Sequence, residues 1–124
     1  MEKTLIINGQ LNSLNDYTRA CRTNRYTGAK MKSDNEAIVS LYIRMQLNGV
    51  HFPNKVALDF RWYEPNRRRD PDNVCFAHKF ILDALVNNGI IKGDSQKYIT
   101  GLNDDFFVDR EFPRIEVTIR EVLG

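Results

Sequence analysis

The feature that most constrains the fold is the alternation between Lys55 and Trp62. Val56, Leu58, Phe60 and Trp62 are apolar, and Lys55, Ala57, Asp59 and Arg61 stand between them. A period of two sends alternate side chains to opposite faces of an extended chain, so the segment is read as a strand with one buried face. Ser33-Asp34-Asn35-Glu36 then has the Ser-x-x-Glu form of a capping box, and Ile38, Leu41, Tyr42 and Met45 follow at helical spacing up to Asn48-Gly49. That predicts a helix near 34–48. A second helix is predicted from about 73 to 87, burying Val74, Ala77, Phe80, Ile81 and Leu85, with Gly89 suited to a left-handed C-terminal cap. Further strands are expected at 4–7, near 97–102, and where Ile115, Val117 and Ile119 alternate with polar residues, with Phe106, Phe107 and Val108 between the last two. Leu11 to Lys32 has few large aliphatics after Leu14 and no clean period, so it is read as a long arm or loop. The expected fold is α+β, one small domain over 1–124 with a mixed sheet of three to five strands and two main helices.

Composition narrows the class of function. At 124 residues, 42% hydrophobic and 27% charged, the chain fits one globular core and excludes disorder, collagen-like repeats and coiled coils. Leu5-Ile6-Ile7 is too short for a signal peptide or a membrane span, which predicts a cytoplasmic protein with no membrane partner. Cys21 and Cys75 cannot make a disulfide framework and are read as reduced packing thiols. His51 and His78 are too few for most histidine-rich metal sites, so carboxylates would have to carry any metal. The net charge of +2 hides an asymmetry. Residues 1–69 hold 12 Lys and Arg against 6 Asp and Glu, whereas residues 70–124 hold 6 against 10. Arg19, Arg22, Arg25, Lys30 and Lys32 share one acid-free stretch, and Arg67-Arg68-Arg69 form a run. A basic surface beside an acidic cluster suits a protein that holds a polyanion and does metal chemistry on it, although charge alone fits a patchy solvated surface better.

The chemistry concentrates in Arg67-Arg68-Arg69-Asp70-Pro71-Asp72-Asn73, where a strand passes through a turn into a helix. Asp72 or Asn73 is a natural N-cap, which accounts for one acid but not for two flanking a proline after three arginines. Two close carboxylates repel unless a cation neutralises them, and hard oxygen donors suit Mg²⁺ or Mn²⁺. Asp94, in Gly93-Asp94-Ser95-Gln96, is a third candidate acid, equally readable as a turn residue. Lys79 follows Asp72 by seven residues, about 20° short of two full helical turns, so on a continuous helix it shares a face with Asp72 and Asp83. It could face a scissile phosphate or simply pair with Asp83, and taken alone the ion pair is the better reading.

Taken together, these residues resemble the RusA family of Holliday junction resolvases. The resemblance rests on Arg67 to Asn73, on Lys79 before Asp83-Ala84-Leu85, and on Asn88-Gly89-Ile90-Ile91 and Asp94-Ser95-Gln96. The basic arm with Asn24-Arg25-Tyr26 matches more weakly. The resemblance implies a homodimeric, Mg²⁺-dependent endodeoxyribonuclease from a bacterium or phage, acting on branched DNA in recombination and repair without an organic cofactor. It assigns Asp70, Asp72 and Asp94 as metal-binding catalytic acids and Lys79 as the assisting lysine. Phe76 stands where the family pattern has its lysine, and Lys79 comes a turn later. Arg67, Arg68 and Arg69, with Arg19, Arg22, Arg25, Lys30 and Lys32, would contact DNA phosphates, and Tyr17 and Tyr26 could stack on bases or simply pack. The rival readings are a non-catalytic junction-binding module and a related nuclease of flaps or forks. A nucleotide phosphohydrolase is disfavoured, because no Gly-rich phosphate loop is present.

Overall fold

The computed structural model describes residues 1–123. Its order is β1 (Glu2–Asn8), α1 (Leu14–Thr23), α2 (Arg25–Gln46), β2 (Val56–Glu64), α3 (Pro71–Cys75), α4 (His78–Asn87), β3 (Ile99–Val108) and β4 (Arg114–Glu121). The strands form one mixed sheet in the order β1-β4-β2-β3, with β2 and β3 parallel and the other neighbours antiparallel. The α+β class and the mixed sheet stand as expected, with three helical units in place of two, since α3 and α4 are one helix broken at Phe76 and Ala77.

The alternation in β2 does what its period requires. Leu58, Phe60 and Trp62 join Leu5 and Ile7 of β1 and Ile115, Val117 and Ile119 of β4 in the core, under Val39, Ile43, Phe80, Ile81 and Leu85 of the helices. The other face is a polar ladder. Thr4 and Thr118 share a hydrogen bond at 3.0 Å, Arg61 reaches Glu116 at 3.1 Å, and Arg120 reaches Asp59 at 2.8 Å. Arg114 lies 3.8 Å above the Tyr63 ring.

The expected arm at 11–32 is a helical hairpin. Ser13 caps α1, its Oγ accepting the Asp16 N–H at 3.2 Å while Asp16 Oδ2 accepts the Ser13 N–H at 3.0 Å. Asn24 caps α2 through the Thr27 N–H at 2.7 Å. The expected capping box at Ser33–Glu36 lies inside α2, which starts at Arg25. From Leu14 to Asn35 the buried positions are Ala20, Gly28 and Asn35, small or polar residues that leave no hydrophobic period to read, and Val39 and Ile43 are buried only further along α2. Gly28 is there for closeness: a Cβ on it would meet Cys21 Sγ at 2.6 Å and Cys21 Cα at 3.3 Å. Gly28→Ala is expected to destabilise the domain by about 1–3 kcal/mol, and a second change, Cys21→Ala, should recover most of it in a urea melt.

The N-cap itself is pH-sensitive. The Ser13 N–H foremost holds the Asp16 carboxyl below the usual carboxylate range; burial opposes it, and Asn12, the Ser13 hydroxyl and Arg69 each lower it further. The folded state favours the ionised form, so the stabilisation is complete above that range and disappears as acid protonates folded Asp16. Asp16→Ala should cost about 1 kcal/mol at pH 7, and its deficit against the native protein should shrink towards pH 3 in paired urea melts.

The other boundaries moved for local reasons. The N-cap of α3 is Asp70 rather than Asp72 or Asn73, because Pro71 takes the first helical position, where its missing N–H costs nothing. Residues 99–108 form one ten-residue strand, so Phe106, Phe107 and Val108 lie in β3 rather than between strands. Asn88-Gly89 ends α4 as expected, with Gly89 at φ 73°.

Candidate active site

The Arg67–Asn73 turn lies beyond the C-terminal end of β2 and is fastened to the start of α1. Arg69 donates to the Leu11 carbonyl at 2.9 Å and lies 3.5 Å from Asp16, while Asn73 Oδ1 accepts the Asn15 N–H at 3.0 Å. Tyr17 packs on Phe76 with ring centres 5.4 Å apart. Arg69 and Asn73 are thus spent on holding the turn, and Arg69 is half-buried. Arg67 and Arg68 stay exposed beside it, as do Arg19, Arg22 and Arg25 on the hairpin.

Asp70 and Asp72 are both exposed on the first turn of α3. Among the described residues the Asp70 carboxylate accepts no hydrogen bond, and Asp72 accepts only the adjacent Asn73 N–H at 3.0 Å. Two carboxylates one residue apart, with most of their lone pairs unused, fit a hard divalent ion. Mg²⁺ is typically held by one or two carboxylates together with water and substrate phosphate. Asp70 lines a hollow of about 580 Å³ with Glu64, Arg67, Val74, Phe106 and Val108. Glu64 is buried there and accepts from Gln10 Nε2 at 2.9 Å. Its signal was in the sequence: it continues the inward alternation of Leu58, Phe60 and Trp62 by two residues.

Asp94 and Lys79 lie elsewhere. Asp94 borders a separate hollow of about 540 Å³ with Leu82, Gln96, Thr100 and Leu102, at the start of β3. The parallel register runs from Val56 beside Ile99 to Glu64 beside Val108, so roughly 25 Å of strand separates that end from the Asp70 end. The continuous helix on which Lys79 would share a face with Asp72 is broken between them, at Phe76 and Ala77. Its Nζ lies 3.4 Å from Asp83, which also takes Lys32 at 3.3 Å. Burial pushes the Asp83 carboxyl up, but Lys79 and Lys32 outweigh it and leave it lowered. Lys32 also lies 3.8 Å from Glu36, and Lys30 pairs with Asp34 at 2.7 Å. Of the proposed phosphate contacts, Lys30, Lys32 and Arg69 therefore already have acidic partners.

No curated protein matches the chain. A family model does, described as endodeoxyribonuclease RusA and covering residues 4–120. Nucleases of this family are metal-dependent, act on branched DNA and come from bacteria and phages. No helix among the described residues is long and apolar enough to cross a membrane. With the match running from the first strand through the last, the chain belongs to the RusA family of endodeoxyribonucleases, Holliday junction resolvases that hydrolyse phosphodiester bonds.

Proposed function

We propose that the protein resolves four-way junctions as a homodimer in the bacterial cytoplasm, with Mg²⁺ held at Asp70 and Asp72. The observation that carries this reading is the pair of exposed, almost unpartnered carboxylates on a turn that Arg69 and Asn73 hold rigid. Bound there, Mg²⁺ supplies a Lewis acid for the phosphoryl oxygens and lowers the pKa of water. The protein's own work is positional. Pro71 sets the entrance to α3, the Leu11 carbonyl and Asn15 amide anchor the turn, and exposed Arg67 and Arg68 bring DNA phosphates to the acids. Asp94 as third acid and Lys79 as assisting lysine rest on the family pattern.

Dimerisation has both a geometric and a chemical support. A junction has approximate two-fold symmetry, and a two-fold dimer presents two equivalent sites for paired nicks. The chain also exposes Ile38, Leu41 and Met45 as a stripe on α2, and Leu102, Phe106 and Val108 on β3.

The test is cleavage of a synthetic four-way junction beside a linear duplex of equal length, with Mg²⁺ and with EDTA. Paired nicks in the junction alone, only with Mg²⁺, are expected. A junction bound but uncut by either Mg²⁺ or Mn²⁺ would make this a binding module. Equal cutting of every substrate would remove the junction selectivity.

A further inference from the structure

The break between α3 and α4 brings together three side chains that the nuclease reading does not use. Cys75 ends α3, His78 begins α4, and Asp104 stands in the middle of β3, with one ligand atom from each within 4.8 Å of the others. Among the described residues this is the one group of three or more His, Cys, Asp or Glu side chains so close together. The register explains the meeting. Asp104 pairs with Phe60, so its side chain lies on the helix-covered face of the sheet, near the Phe60 and Trp62 rings. The His78 ring packs against both, 4.4 Å from Phe60 and 5.6 Å from Trp62 by ring centres. Asp104 Oδ1 then receives two contacts, His78 Nε2 at 2.6 Å and the Trp62 Nε1–H at 2.7 Å. Its Oδ2 has no partner among the described residues.

We infer that Cys75, His78 and Asp104 form a binding site for one Zn²⁺ ion, with solvent in the fourth position. The donor set argues for this ion: thiolate and imidazole favour zinc, whereas Mg²⁺ takes oxygen and would gain nothing from the sulfur. The Trp62 N–H orients the carboxylate, as a partner behind a metal ligand does, and leaves the second oxygen available. The fit is near. Ligand atoms about 2.0–2.3 Å from zinc lie some 3–4 Å apart, so the His78–Asp104 contact opens and the longest separations close by about 1 Å. The His78 and Asp104 side chains are 19% and 22% exposed, which gives an ion a way in from solvent.

Charge points the same way. Burial first, and then the Asp104 carboxylate, push the Cys75 thiol up from its ordinary range. A thiolate beside that carboxylate is unfavourable until a cation stands between them. On binding, the thiol proton passes to solvent, and Nε2 of His78 gives up any proton it holds, to Nδ1 or to solvent, in exchange for the metal. The site uses neither of the proposed Mg²⁺ ligands, although Asp72 precedes Cys75 by three residues on the same short helix and its charge adds to the rise of the thiol. A bound zinc would tie α3, α4 and β3 together.

The test is titration of the reduced full chain with Co²⁺, whose thiolate complexes absorb strongly, followed by displacement with Zn²⁺. One equivalent of Co²⁺ should give a sulfur-to-cobalt band that Zn²⁺ abolishes. Cys75→Ser should remove the band, and Cys21→Ser should keep it. His78→Asn and Asp104→Asn should each weaken binding at least tenfold. Circular dichroism checks each fold, and if Cys75→Ser unfolds, the other two variants decide. Asp72→Asn should keep the band whatever becomes of its nuclease activity, so failure of one reading leaves the other standing. A native protein without the band, or a band that survives in folded Cys75→Ser, overturns the zinc site.

Discussion

Asp72→Asn should reduce Mg²⁺-dependent junction cleavage by at least about a thousand-fold while the junction remains bound. Asparagine keeps the size of aspartate, and its amide oxygen can still accept the Asn73 N–H that Asp72 accepts at 3.0 Å. The side chain is exposed, so stability should stay within about 0.5 kcal/mol of the native value. What disappears is a charged oxygen donor beside Asp70, and with it the field that stabilises charge developing on the phosphate. Binding should hold or tighten slightly, since one negative charge is withdrawn from the path of the DNA phosphates. Gel-shift and cleavage assays on one protein preparation separate the two effects, and loss of both together would assign Asp72 to folding or docking. The same pair of assays on Asp94→Asn and Glu64→Gln locates the third acid. The family pattern requires Asp94→Asn to be inactive. An active Asp94→Asn with an inactive Glu64→Gln would move that role to the strand end beside Asp70.

The largest loss of stability should come from Trp62→Ala. Trp62 is fully buried, stacks on Phe60 with centres 5.5 Å apart, and donates to Asp104 at 2.7 Å. Truncation leaves a cavity that the sheet cannot close, at a cost of about 3–5 kcal/mol. Domains of this size are stable by only about 5–15 kcal/mol, so much of the margin goes. Trp62→Phe retains most of the ring and loses the N–H, and should cost about 1–2 kcal/mol. Urea unfolding of the three proteins checks the order. If Trp62→Phe unfolds at the same denaturant concentration as the native chain, the hydrogen bond to Asp104 adds no net stability.

What could be read in advance follows from how each element is buried. β2 and β4 were legible because one face of each meets the core and the other meets solvent, so Val56 to Trp62 and Ile115 to Ile119 alternate cleanly. The helical hairpin was not, because its buried positions as far as Asn35 are Ala20, Gly28 and Asn35. In α2 the stripe Ile38, Leu41 and Met45 has the right spacing but faces out, while Val39 and Ile43, with Leu47 just past the end of the helix, go in. Periodicity finds a helix without choosing between adjacent apolar faces. At the site, Asp70 and Asp72 were legible as acids around a helix start. Glu64 needed the true length of β2, and Asp104 needed the pairing of β3 with β2, which no local pattern encodes. Arg69 and Asn73 looked like part of a ligand-binding run, yet their partners are Leu11, Asp16 and Asn15.

The strand order carries a consequence for how the protein is made. β4 is the last strand in sequence and sits between β1 and β2, pairing Leu5 with Val117 and Phe60 with Val117 from its two edges. On a ribosome, β1 emerges more than a hundred residues ahead of β4, its one strand neighbour among the described residues. The helices can form as they appear, but the two halves of the sheet cannot join until Arg114–Glu121 has cleared the exit tunnel. Until then Leu5, Ile7, Leu58 and Phe60 wait half-covered, and a nascent chain stalled before β4 is the species a chaperone would be called to hold.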